Sequence, residues 1–231
     1  MNTAYKLQGI HRHYEWGGSA FIPQLMQLDN TNGKPFAEYW MGAHPSAPAL
    51  VATSEGQKAL DQMIQENKAH FLGTNIADQF GTLPYLFKIL DVEKMLSIQV
   101  HPSKENAEKG FLKEQLAGVP IDAAHRNYKD QNHKPEVMVA LSDFWLLHGF
   151  MPAIALKERL SSLAPLQILL PEFGQDDYAG LYSHFMRLDQ TATDKILKPL
   201  LEIAVHEVAV GKVDKTHPHW WANKYYGGIV P

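Results

Sequence analysis

LSIQVHPSKE, residues 96–105, decides the reading of the fold. Successive side chains of a strand point to opposite faces. Leu96, Ile98 and Val100 therefore share one face, and Ser97, Gln99 and His101 share the other. Pro102 closes the strand. One face suits a core, and the other is equipped to hold something polar.

Working outward, LPYLFKILDV (83–92) reads as a neighbouring strand. HKPEVMVAL (133–141) and DFWLLHGF (143–150) read as two more. PFAEYWMGAHPSAPALVA (35–52) mixes aromatic and small residues with Gly and Pro, as turns and short strands do. ALDQMIQENKAHFLG (59–73) carries Leu60, Met63 and Ile64 at helical spacing, with Gly73 as its stop. SKENAEKGFLKEQ (103–115) predicts one or two surface helical turns. The character changes near Met151. From Pro152 to Tyr226 the periodicity is helical, with Pro152 in a first turn, Thr193 as an N-cap and Pro199 as a kink or break. HPHWW (217–221) has the look of a metal motif and reads as a helix start packing two tryptophans. KYYGGIVP (224–231) ends as if a strand were about to begin. The expected division is 1–150, 151–226 and 227–231.

Composition narrows the function. The chain has 231 residues, 45% hydrophobic and 20% charged, and a net charge of −4. A sizeable core is possible, and the balance argues against non-specific nucleic-acid binding. With no cysteine, thiolate nucleophiles, disulfides and Cys-type zinc sites are excluded. The N-terminus shows no apolar signal core, and no stretch approaches the ~20 apolar residues of a membrane span. A cytoplasmic protein with no membrane partner is the expectation.

The polar face carries the chemistry. Gln99 and His101 stand at i and i+2, and neutral imidazole is the commonest metal ligand; a satisfied structural histidine is the alternative. Glu136 begins a segment whose other face, Val137, Val139 and Leu141, is apolar. A buried carboxylate there needs a partner, either a cation or Lys134 in a strand-edge ion pair. If Gln99, His101 and Glu136 converge, they supply three N/O ligands, and that donor set suits zinc, manganese or iron. Lys88 interrupts an apolar strand on the face of Leu86 and Leu90. It either snorkels to water or binds an anion. Trp16 is a turn anchor or a platform for a sugar ring.

EYWMGAHPSAP (38–48), LPYLFKILDVEKMLSIQVHPSKENAEKGF (83–111) and RNYKDQNHKPEVMVAL (126–141), with Trp16 and Gly17, together resemble the type I mannose-6-phosphate isomerases. The resemblance runs through residues 5–150 and more loosely to about 226. It implies a mixed β and α fold: a cupin-like (jelly-roll) β-barrel, incomplete in this chain, with an inserted all-helical domain. It implies a zinc enzyme, one Zn2+ per site, interconverting mannose 6-phosphate and fructose 6-phosphate. By motif position Gln99, His101 and Glu136 become metal ligands, and Lys134 and His133 become candidates for proton handling. Lys88, Ser97 and Trp16 become substrate-binding candidates. The family's fourth ligand, a histidine in a PHAY-like motif, and a substrate-binding arginine have no counterpart in this sequence. A missing C-terminal half supplying both is therefore expected. A catalytically silent sugar-phosphate or metal-binding cupin module is the alternative. A cupin oxygenase would call for two histidines and one carboxylate, which this set does not match.

Overall fold

The structure is a computed structural model that describes residues 4–96 and 99–229. The chain folds as two compact units, Met1–Val137 and Met138–Pro231.

The first unit mixes short strands and helices. In chain order they are β1 (Leu7–Gln8), β2 (Ile10–Arg12), α1 (Phe21–Met26), β3 (Glu38–Gly42), β4 (Leu50–Thr53), β5 (Gly56–Ala59), α2 (Leu60–Glu66), α3 (Lys68–Leu72), α4 (Thr74–Phe80), β6 (Leu86–Leu90) and α5 (Lys104–Leu116). The strands form two three-stranded antiparallel sheets, β1-β4-β5 and β2-β3-β6. In the second sheet Arg12 lies opposite Glu38, and Trp40 opposite Lys88. β3 is the central strand because EYWMG is aromatic and can be covered on both faces. Tyr39 joins Ile22 and Phe36 in a small core, with Met26, Met41 and Ile89 packed against it.

Several local signals act as the sequence predicts. The apolar run 83–92 contains β6, and a helix forms in the 103–115 stretch, though α5 runs to 13 residues rather than one or two turns; Ser103 is its N-cap, the hydroxyl accepting the Asn106 N–H at 3.2 Å. Gly73 ends α3 at φ +75, a conformation that favours glycine. The 59–73 helix is split at Asn67, whose side chain accepts the His70 N–H at 3.1 Å and so caps a new helix. Asparagine competes with the helical backbone in this way.

Other expectations are corrected. Residues 99–101 make no strand ladder, and neither do 133–141 or 143–150. Val137 is 97% exposed and Val139 and Leu141 are also open to solvent. Alternation in sequence specifies two faces; a strand also requires a neighbour to take its backbone hydrogen bonds, and sequence pattern does not supply one.

The second unit holds α6 (Ala153–Ser162), α7 (Tyr178–Met186), α8 (Gln190–Ala209) and α9 (Pro218–Tyr226), with 3-10 segments between α6 and α7. Its core gathers Leu160, Leu169, Phe173 and Ile196. Pro152 sits one place before α6, as its N-cap residue. Asp189, not Thr193, caps α8, accepting the Ala192 N–H at 2.8 Å. The carboxylate reaches the N–H three residues on, leaving Thr193 inside the first turn. α8 continues through Pro199; the missing N–H costs one bond in a twenty-residue helix held by its packed face. Where a strand was expected, Gly227–Ile229 make a 3-10 turn. Among the described residues no helix is long and apolar enough to cross a membrane.

Candidate functional site

Two segments of the first unit carry the candidate ligands, and α5 joins them. His101 and Pro102 lead directly into its N-cap, Ser103. From the other end of α5 the chain turns back along the helix through residues 117–132. Arg126 fixes this return. It is 3% exposed and its guanidinium donates to the carbonyls of Tyr128 (2.8 Å) and Val119 and to Gln115 Oε1 (3.4 Å). It also lies over the Phe111 ring, 4.9 Å from its centroid. Glu114 accepts the backbone N–H groups of Asn127 (3.0 Å) and Tyr128 (2.8 Å). These bonds hold its carboxyl below the usual carboxylate range, assisted by the Arg126 charge. The Tyr128 ring rests on Gly110, where a Cβ would collide with it. At the near end Lys104 Nζ donates to the Gln131 carbonyl at 2.9 Å.

The returned segment brings Glu136 to His101, with Nε2 and Oε2 3.8 Å apart. Two donors bound tetrahedrally to one zinc at 2.0–2.1 Å stand roughly 3.3 Å apart. The observed gap is therefore within about half an ångström of sharing an ion. Gln99 is exposed two residues before His101. Lys134 Nζ lies 3.3 Å from Glu136 Oε1, the carboxylate's other oxygen. His133 is exposed beside it. Ser97 lies outside the described residues.

Lys88 reaches neither of these groups. Its Nζ stands 3.6 Å from Glu38 Oε1 and 5.0 Å from the Trp40 ring centroid. Glu38, 7% exposed at the head of the aromatic strand β3, also accepts the Trp40 Nε1–H at 2.6 Å. The lysine that interrupts β6 is thus matched by a carboxylate on β3. Trp16 stacks on Tyr14 at 5.7 Å, and its carbonyl accepts the N–H groups of Glu93 and Lys94 at 3.0 Å each. Gly17 then passes so close to the Ala37 backbone that a Cβ would lie 2.5 Å from it.

His44 and Glu38 were missed by sequence reasoning. His44 packs edge-on against Trp40, centroids 5.1 Å apart. Partial burial of its ring lowers its pKa; Asp130 opposes this, and the charges of Lys88, Arg12 and Lys134 add to it. His44 therefore feels both lysines, one from β6 and one from the returned segment. Its signal was present in the sequence as a histidine after an aromatic strand, MGAHP, and the glutamate's as a charge at the head of that strand.

The family model for the catalytic domain of type I phosphomannose isomerase matches residues 4–153. The mannose-6-phosphate isomerase of Salmonella typhimurium is 46% identical over 146 residues, 63% of this chain and 37% of that protein. That of Bos taurus is 32% identical over 232 residues, 90% of this chain and 52% of that protein. The crystal structure of the Salmonella typhimurium enzyme bound to substrate (f6p) and zinc aligns with a TM-score of 0.81 at 33% identity, covering 96% of this chain and 57% of that one. A zinc-bound holo structure of a mannose 6-phosphate isomerase aligns with a TM-score of 0.79. The chain spans from over a third to about half of the length of these curated relatives. On the family model and on identity sustained over nine-tenths of its length with the bovine protein, this chain belongs to the type I phosphomannose isomerase family.

Proposed function

We propose that the chain carries the zinc-binding and proton-transfer groups of a mannose-6-phosphate isomerase, which interconverts mannose 6-phosphate and fructose 6-phosphate. The observation that carries this reading is the clustering of His101, Glu136 and Lys134, with Glu136 offering one oxygen to each partner. Gln99, His101 and Glu136 would hold the ion. The donor set, one imidazole with amide and carboxylate oxygens, suits zinc. When bound, zinc polarises a carbonyl and steadies the negative charge that develops on its oxygen.

The chain's own groups supply the rest. Aldose–ketose isomerisation moves a proton between C2 and C1, so a base must face both carbons. Lys134 fills that role, and His133 beside it is the second candidate. The Lys134 Nζ is already held at Glu136, 3.3 Å from Oε1. Lys88 and Ser97 are proposed to meet the phosphate or the sugar hydroxyls, with Trp16 lining the site.

The finer architecture belongs to the same proposal. A cupin-like barrel, incomplete in this chain and interrupted by the helical domain, would enclose the site. A C-terminal half would add a fourth ligand, a histidine, and an arginine for substrate. The substrate is an anionic sugar phosphate that does not cross a bilayer unaided, which fits a cytoplasmic enzyme.

The test is to load the chain with zinc, add mannose 6-phosphate in deuterated water, and follow the sugars by NMR. Fructose 6-phosphate carrying solvent deuterium supports the isomerase. Metal and sugar phosphate bound without turnover would favour a silent binding module.

A further inference from the structure

A second cluster lies in the helical unit, where HPHWW meets the end of α8. Glu207 stands in the last turn of α8, and His217 is the N-cap residue of α9. The intervening turn is tightly fixed. Asp214 accepts the Thr216 N–H at 2.8 Å and the Thr216 hydroxyl at 2.6 Å, and its carbonyl accepts the His217 N–H at 2.9 Å. His219 Nδ1 lies 2.5 Å from Glu207 Oε2. The His217 and His219 rings are 4.5 Å apart between centroids. One donor atom from each of Glu207, His217 and His219 falls within 4.8 Å of the other two, and all three side chains are partly buried.

A helix–helix latch would explain one of these histidines. Glu207 and His219 already form an ion pair, and Lys212 Nζ, 2.5 Å from Glu207 Oε1, reinforces it. It leaves His217 unexplained. The N-cap bond from the His219 N–H to His217 Nδ1 at 3.2 Å does not by itself require the two rings to meet at 4.5 Å. Convergence of two imidazoles and one carboxylate is what a borderline divalent ion requires. The ion would take the place of the hydrogen bond between His219 and Glu207 and bind a ring nitrogen of His217. Lys212 would remain on the outer carboxylate oxygen, keeping Glu207 oriented.

We propose that Glu207, His217 and His219 form a second metal-ion site, for zinc or a similar divalent transition ion, separate from the Gln99, His101 and Glu136 set. It depends on nothing in the isomerase reading. The test uses the full chain with His101→Ala and Glu136→Gln, which disables the first set. Cobalt(II) is titrated by visible absorption, and zinc by equilibrium dialysis. One equivalent of each ion should still bind. Adding His217→Asn and His219→Gln should weaken that binding at least about 100-fold; Asn remains a good N-cap, so α9 should still form by circular dichroism. Absence of a bound equivalent in the first variant, or its persistence in the second, overturns the site. Should the second variant unfold, histidine side-chain 15N NMR of the first decides. Zinc must shift the ring nitrogens of His217 and His219, and unshifted rings overturn the proposal.

Discussion

His101 Nε2 and Glu136 Oε2 stand 3.8 Å apart on segments that share no strand ladder. What brings them together is α5 and the chain folded back upon it, pinned by Arg126 and Glu114. The candidate ligand pair thus rests, among the described residues, on a helix and the segment folded back along it.

Removing either donor should empty the site without unfolding the protein. His101→Ala or Glu136→Gln is expected to lower zinc affinity at the first set by at least about tenfold, as loss of even outer-shell partners does in other sites. Both side chains are partly exposed, so unfolding free energy should change by less than about 1 kcal/mol. Urea melts and metal analysis after dialysis, read above any equivalent held by Glu207, His217 and His219, check both halves of the statement.

Lys134→Met should leave zinc bound and remove solvent exchange at C2 of the substrate. General acid–base groups contribute about 10²–10⁴-fold, and the loss should fall in that range. Undiminished deuterium incorporation would take Lys134 out of the reaction.

Arg126→Ala should be among the more damaging single changes in the first unit. It strips partners from the carbonyls of Val119 and Tyr128 and from Gln115. Unsatisfied buried acceptors cost about 1–3 kcal/mol each; partial rescue by water brings the expected loss to about 2–4 kcal/mol, measured by urea unfolding.

Glu114 predicts a pH dependence of defined sign. Its folded pKa is depressed by the Asn127 and Tyr128 N–H groups. Its contribution is therefore fully present above the unfolded value of about 4.3 and is lost as pH falls through the lower folded value. Glu114→Gln should show a shallower decline in stability on acidification below that unfolded value. Parallel stability curves for the two proteins would refute the assignment.

Gly17→Ala should destabilise by about 1–3 kcal/mol, the range for forcing a methyl group into a filled space. The added carbon meets the Ala37 backbone, which cannot swing aside as a side chain could. Thermal melts of the variant report it.

Much of this was legible in the sequence. Helical periodicity located the second unit's helices, and Gly73 marked a real end. The pairing of His101 with Glu136 followed from motif resemblance. The strands expected at 133–141 and 143–150 did not form ladders, because alternation describes a segment's faces but not its neighbours. Arg126 escaped notice for a related reason: it is satisfied largely by bare backbone carbonyls, which leave no local pattern. The HPHWW segment reads as a helix start, and α9 begins there; the convergence of His217 and His219 with Glu207 needs the turn at Asp214, which the sequence pattern does not show.

The support under the ligand pair has a practical bearing on mutational surveys. If the proposed isomerase reading holds, turnover alone would not separate a change at Arg126 from one at His101, since either should lower it. Scored for soluble yield as well, the two separate, and the arginine reveals itself as scaffolding for a centre it never touches.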